Sequence, residues 1–462
     1  MKVQPISQWL SEDNCPNRVI CWESHSNSQK KTSLKTFRQD VIALYLRLKK
    51  QSQQHEGQAT SRWALCFDDS YSFCVALLAT LYAGQIPVIP GHCREAQLQE
   101  QQSLFDGVLT DLPLALSCPC WQPELDIAPQ TALHVELPTI SPDAFLVMFT
   151  SGSTGTPQQV IKSVAAMDLE SQWLASLWGE QLQSCVIRAS VSHQHLYGLT
   201  FRIWLPMSLG LPFDRKLVEF PEQLINSPRC ALISSPAFLQ RLDSSLPAPD
   251  CTFVVSAGGP LHFAHAEQAM HWLSTIPNEI YGCTETGVIA WRSRKTENAI
   301  WMKFKGVSFL EDDEKNLRVY SPLLAESAGL VLDDQFEFDD QGNFTLLGRR
   351  DRLVKIEEKR ISLTEIERRL CDTPDVIDAA ALLISRGKRN HIGAVVVLDS
   401  NAYQRYQQQG LRKFSQDWRN QLKPWLESVA LPRYWRVVKT IPLNAQSKRS
   451  WPALQELFNE TH

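Results

Sequence analysis

The sequence predicts an α/β protein with a large N-terminal domain, residues 1–348, and a small α+β C-terminal domain, residues 349–462. Three observations predict it. Short apolar runs alternate with helical stretches through the first two-thirds of the chain, the pattern of parallel sheets flanked by helices. Residues 311–347 break that alternation with short runs separated by Asp- and Gly-containing turns such as 339–344 (DDQGNF), which suits antiparallel pairing. The charge then changes sign. From Arg349 onward 21 Lys and Arg stand against 13 Asp and Glu, while the rest of a chain of net charge -4 carries 25 against 37.

Taken in order, Arg18 to Glu23 reads as a strand, and Leu34 to Lys50 as a helix with Val41, Ile42, Leu44, Leu46 and Leu48 apolar. Trp63 to Phe67 and Ile86 to Ile89 are short strands on either side of a buried helix, Tyr71 to Ala83. Ala144 to Phe149 is an apolar strand that runs into a Ser/Thr/Gly loop. Cys185 to Val191, Cys230 to Ser234 and Thr252 to Val255 are further strands. Beyond the boundary, helices are expected at Leu363 to Leu370 and Leu411 to Leu426, with strands at Ala379 to Ile384 and Ala394 to Leu398.

Composition narrows the class. Of 462 residues, 44% are hydrophobic and 21% charged, as in ordinary globular proteins. The longest apolar stretch, Phe73 to Gly84, is too short to span a bilayer. The opening MKVQPISQWL has no apolar core of the signal-peptide kind, so a cytoplasmic location is expected. The 12 cysteines form no framework and are expected to be reduced; Cys118-Pro-Cys120 has no matching second pair and reads as incidental. Neither a nucleic-acid partner nor a membrane span is expected. The basic C-terminal stretch is either ordinary solvated charge or a surface for an anionic partner.

The segment Phe149-Thr-Ser-Gly-Ser-Thr-Gly-Thr-Pro157 follows a predicted strand. Gly152 and Gly155 permit unusual backbone shapes, so that successive N–H groups can point at one anion, helped by the hydroxyls of Thr150, Ser151, Ser153 and Thr154. By composition this is a phosphate cradle, but no Gly-Lys-Ser/Thr ends it as in a Walker loop. Tyr197, Phe201 and Trp204 fall at i, i+4, i+7 after His195, which is either core packing or a pocket wall. His193 and His195 lack a third metal ligand.

The loop closely resembles the signature of the adenylate-forming superfamily, which includes acyl-CoA and aryl-CoA ligases, adenylation domains of peptide synthetases and firefly-type luciferases. Other segments match in the family's order. They are Val191 to Leu199, Ser256-Ala-Gly-Gly-Pro-Leu261, Tyr281-Gly-Cys-Thr-Glu285, Leu353 to Glu367 and Ile441 to Arg449. The resemblance implies the family's fold, with mixed parallel sheets, a small β-barrel-like subdomain and a mobile C-terminal domain turning on Asp351. It implies ATP and Mg²⁺ as cofactors.

By the same resemblance, residues 150–155 hold the ATP phosphates, Gly258, Gly259 and Pro260 pack on adenine and Tyr281 stacks on it. Thr284 touches the phosphate, Glu285 holds Mg²⁺, Asp334 and Arg349 take the ribose, and Lys448 is the catalytic lysine. His195, Tyr197, Phe201 and Gly282 belong to the acid pocket. Four departures stand out: Gln158 replaces the usual Lys, Asp333, Glu358 and Ser447 each a Gly. Lys162 is a candidate replacement for the missing cation. The implied activity is formation of an acyl-adenylate followed by transfer to an acyl carrier protein. The alternatives are transfer to free CoA and a non-catalytic nucleotide-binding protein. HQHLYGLTFR and VKIEEKRISLTEIE look most like stand-alone ligases of aryl-polyene and xanthomonadin-type pigment clusters.

Overall fold

The computed structural model describes residues 3–11, 17–25, 28–54, 60–123, 135–150, 158–225, 227–313, 316–349, 352–356, 359–386, 389–444 and 449–459. The chain forms two compact units, Met1–Val331 and Leu332–His462. This places the hairpin Asp334–Phe338/Phe344–Arg349 in the second unit, whereas the sequence reading assigns it to the first.

Among the described residues the first unit holds two large sheets. One runs in the order Cys120–Trp121, Gly107–Thr110, Arg62–Cys66, Ile86–Ile89, Phe145–Thr150 and Gln158–Ser163. It is parallel except for its last pair, a hairpin in which Thr150 faces Gln158 and Leu146 faces Lys162. The other has a parallel centre made of Val19–His25, Phe213–Asp214, Val186–Ala189, Cys230–Ser234, Cys251–Ser256 and Asn278–Cys283. Antiparallel strands close it: Ser28–Ser33 at one edge, Gly287–Ser293 and Met302–Lys303 at the other. Ser308–Glu311, Leu317–Tyr320 and Leu330–Val331 make a small antiparallel sheet, as the Asp- and Gly-rich turns predict.

The helix Ser70–Tyr82 is buried along its whole length, which explains why its sequence shows no polar face. It starts where Asp69, in extended backbone, accepts hydrogen bonds from Ser72 N (3.1 Å) and Ser72 Oγ (2.6 Å). Arg215 Nη2 closes on the same carboxylate at 2.6 Å, tying helix start to sheet edge. Burial opposes the charge, yet the Arg215 guanidinium and Ser72 hold the Asp69 carboxyl below its usual range.

In the second unit Val376–Arg386 pairs antiparallel with Arg389–Leu398, which pairs parallel with Tyr434–Val438. The helix Leu363–Cys371, capped by Ser362 through Glu365 N, packs with Ser400–Leu422 on this sheet around Ile366, Leu370, Phe414 and Trp418. The helix expected at Leu411 begins earlier, at Ser400, and is broken at Gly410 (φ 77°, ψ 166°).

Asp69→Ala removes a helix cap and leaves the part-buried Arg215 guanidinium with the more distant Glu23 carboxylate, at 3.8 Å, as its ion-pair partner. It is expected to lower unfolding free energy by about 3 kcal/mol, read from the urea midpoint. Asp69 has a lowered pKa in the fold, so its contribution is present above about pH 4, the ordinary Asp value. It is lost as pH falls through the lowered one, and the wild-type/variant gap should shrink there.

Candidate functional site

Val186–Ala189, Cys230–Ser234, Cys251–Ser256 and Asn278–Cys283 are parallel, so their carboxyl ends share one edge of the sheet. Ligands in open α/β sheets bind outside that edge. The motif residues follow three of those ends directly: His193 to Tyr197, Ala257 to Pro260, and Thr284-Glu285.

Gly258 has φ +93°, a left-handed backbone that favours glycine, and a Cβ built there meets nothing within 4 Å. Backbone shape, not crowding, selects glycine, and Gly258, Gly259 and Pro260 form an exposed ledge. Tyr281 is half-buried, its ring centroid 5.7 Å from that of Trp301, over which the Arg292 guanidinium lies at 4.3 Å. Trp301 carries no motif of its own, and only its pairing with Tyr281 in the fold brings it to the site.

The turn after Tyr281 is tightly built. Thr286 Oγ1 accepts from Cys283 N (2.9 Å) and donates to Gly287 O (2.8 Å). At Gly282 an added Cβ would fall 2.0 Å from Gly287 O, a backbone atom that cannot swing aside. Thr284 and Glu285 are half-buried. The Glu285 main-chain carbonyl accepts a 2.8 Å hydrogen bond from Lys162 Nζ.

That bond places the Lys162 ammonium on the turn. It stands four residues beyond Gln158 on the same strand, roughly 13 Å along it, and its buried ammonium is spent on the Glu285 carbonyl. Ser151 to Pro157, the stretch for which Lys162 is the candidate cation, lies outside the described residues.

His195 sits where the two sheets approach. Gly91 (φ +81°) lies so close that a Cβ on it would be 3.4 Å from His195 Cε1 and 3.6 Å from Phe149 O. His195 thus stands beside the carboxyl end of Phe145–Thr150, the strand that leads into the loop. Tyr197 Oη lies 3.0 Å from Ser234 O and 2.9 Å from Val255 O, its one hydrogen serving two strand carbonyls.

Of the two readings of Phe201 and Trp204, core packing is the one their surroundings support. Leu199–Trp204 is π-helical, and Tyr197 and Phe201 still touch while Trp204 packs elsewhere. Phe201 and Trp204 are both fully buried. Phe201 packs on Tyr197 and Trp178, and Trp204 packs on Trp9 with its indole N–H on Asp168 Oδ1 at 2.8 Å. His193 is core as well, with Nδ1 3.1 Å from Ser70 Oγ and Nε2 3.0 Å from Phe67 O.

Thr150 is the last described residue before the loop. Ser151, Gly152, Ser153, Thr154, Gly155, Asp351 and Lys448 lie outside the described residues. In the second unit, Asp334 and Arg349 are direct partners across their hairpin, which puts the two expected ribose residues side by side in backbone register.

Mg²⁺ takes oxygen ligands, commonly one or two carboxylates plus substrate phosphates. The Glu285 carboxylate, half-exposed on a turn fixed from behind by Lys162, fits that donor set.

Residues 92–305 match the family model described as AMP-binding enzyme. A 4-coumarate–CoA ligase of Cereibacter sphaeroides is 26% identical over 251 residues, covering 54% of this chain and 58% of that enzyme. The chain thus spans little over half the length of that relative. A second 4-coumarate–CoA ligase, from Halorhodospira halophila, is 27% identical over 66% of this chain and 74% of its own. The crystal structure of ATP-bound MatB from Rhodopseudomonas palustris superposes with a TM-score of 0.80 over 99% of both chains at 17% identity, a likeness of fold.

Gly282→Ala must push apart the strands that meet at Gly287. The Tyr281 ring and the Thr284–Glu285 turn move with them, so affinity for ATP, read by calorimetry, is expected to fall in a protein that still folds.

Proposed function

We propose, for a chain that belongs to the adenylate-forming superfamily, that it activates a carboxylic acid with ATP and passes the acyl group to a thiol. The observation that carries this reading is the convergence of the Gly258–Pro260 ledge, Tyr281 and the Thr284–Glu285 turn on one edge of parallel strands, with the Thr150 strand end and His195 in the same unit.

A carboxylate is a poor electrophile. Its oxygen attacks the α-phosphorus of ATP, the bond to the bridging oxygen breaks, and pyrophosphate leaves with that electron pair. The product is a mixed anhydride whose acyl carbon a thiolate can attack, releasing AMP. The protein's share is positioning and charge neutralisation. Tyr281 stacks on adenine beside the Gly258–Pro260 ledge, and residues 150–155 bind the phosphates with Thr284. Glu285 would hold Mg²⁺, which supplies neutralisation of the phosphate charge. Asp334 and Arg349 bind the ribose, and Lys448 bridges acid and α-phosphate. His195, Tyr197 and Gly282 line the acid site; Phe201 supports it from the core.

For the acceptor we propose the phosphopantetheine thiol of an acyl carrier protein, the acid being aryl or unsaturated, as in the priming of aryl-polyene pigments. Two features support this: the basic excess after Arg349 suits an acidic carrier, and the segments HQHLYGLTFR and VKIEEKRISLTEIE resemble those ligases. Free CoA is a second reading, favoured by the two relatives named as CoA ligases. Acid-dependent exchange of pyrophosphate into ATP, screened over aromatic and fatty acids, tests activation; its absence with every acid supports a non-catalytic nucleotide binder. CoA and holo carrier protein, offered separately, then distinguish the acceptors.

Lys448→Ala is expected to slow adenylation by about 10²–10³-fold while leaving thiol transfer from supplied acyl-adenylate largely intact. Equal loss of both steps removes Lys448 from this role.

A further inference from the structure

Behind the Thr284–Glu285 turn lies a buried pair of opposite charges, Lys162 and Glu170. A charge out of water is costly unless it is paired and hydrogen-bonded. Each bond these two make falls on an element of the candidate site. Lys162 Nζ donates to Glu285 O at 2.8 Å. Glu170 Oε1 accepts from Val288 N at 2.7 Å, just past the same turn. Glu170 Oε2 accepts from Thr200 Oγ1 at 2.7 Å, inside the π-helical segment that follows His195 and Tyr197.

The fit is close. At Gly287 (φ +68°) a Cβ would stand 2.8 Å from Glu170 Oε1, so glycine there gives the carboxylate its place against the turn. Burial lowers the Lys162 pKa and raises that of Glu170, and the opposite charge of each partner works against its shift. Two strand and helix positions, on Gln158–Ser163 and Val164–Trp178, thus reach the middle and the far end of the turn Cys283–Gly287 and the acid-side helix together.

We infer that Lys162 and Glu170 are positioning residues that set the Glu285 turn for Mg²⁺-bound ATP and tie it to the acid-binding helix. Lys162 acts through the Glu285 main chain, and so on the carboxylate that faces the metal. Glu170 fixes the far end of the turn and the Thr200 hydroxyl. The inference rests on Glu285 facing Mg²⁺, as proposed above.

The test is binding of ATP to the full chain, by calorimetry, with Mg²⁺ and in EDTA without it, alongside thermal unfolding. The double variant Lys162→Met/Glu170→Gln leaves no lone buried charge, and the amide that replaces the Glu170 carboxylate can still accept from Val288 N and donate to Thr200 Oγ1. Expected is a melting temperature near wild type, Mg·ATP affinity lower by about tenfold or more, and metal-free ATP affinity within about twofold. Unchanged Mg·ATP affinity, or an equal loss with and without Mg²⁺, overturns the inference.

Glu170→Gln alone keeps the Lys162–Glu285 bond and is expected to hold Mg·ATP affinity within about twofold. A tenfold loss there overturns the assignment to Lys162, even if the double variant fails to fold. Wild-type protein that binds Mg·ATP yet exchanges no pyrophosphate with any acid defeats the functional reading and leaves this inference standing. Wild-type protein that binds no Mg·ATP overturns both.

Discussion

The approach of Gly282 to the Gly287 carbonyl governs the candidate site. Two antiparallel strands meet there with no room for a side chain, and the turn Thr284–Thr286 between them must project outward. Everything the turn presents, from the Tyr281 ring to the Glu285 carboxylate, takes its direction from that closure. A buried ammonium and a buried carboxylate then clamp it from the core side. The geometry rests on backbone and buried charge, both slow to rearrange, which suits a site that must meet a polyanion in one fixed pose.

Much of the fold was legible. The strands at Cys230–Ser234 and Ile86–Ile89 and the buried helix near Ser70–Tyr82 stand within a residue of where apolar runs place them, because continuous burial leaves a continuous apolar signature. Gln158–Ser163 was not legible. Its sequence, QQVIKS, is polar, and it exists as an edge strand only because Phe145–Thr150 offers it a partner. The π-helical Leu199–Trp204 was likewise hidden, since one inserted backbone step changes which side chains share a face without changing composition. For the site, motifs located Tyr281, Glu285 and the Gly258 ledge. They could not reveal Glu170, which sits in an apolar helix and whose partners, Thr200 and Val288, lie 30 and 118 residues away in sequence.

The basic excess of the second unit also reads differently once side chains are placed. Arg449, next to the candidate catalytic lysine, pairs with Asp378 at 2.6 Å and Glu367 at 3.3 Å. Arg352 shares Glu367 and donates to Ala381 O at 3.0 Å. Part of the positive charge is therefore internal scaffolding that pins one side of the segment carrying Lys448. Leu443 pairs with Arg449 and Ser450 N donates to Pro442 O at 2.8 Å, so both stems of that segment are fixed. What a partner could feel is the remainder, spread over exposed residues such as Arg412 on the long helix and Lys423 just past its end.

That helix is really two. Its left-handed joint at Gly410 divides Ser400–Leu422 into pieces of about ten residues, each too short to persist in water by itself. The leading piece adheres to its sheet through Ala402 and the rings of Tyr403 and Tyr406, the trailing one through Phe414, Trp418 and Leu422. Side chains bridge the break, the Tyr406 ring meeting that of Phe414 at 5.9 Å, yet amide protons near the joint should exchange with solvent ahead of those on either flank.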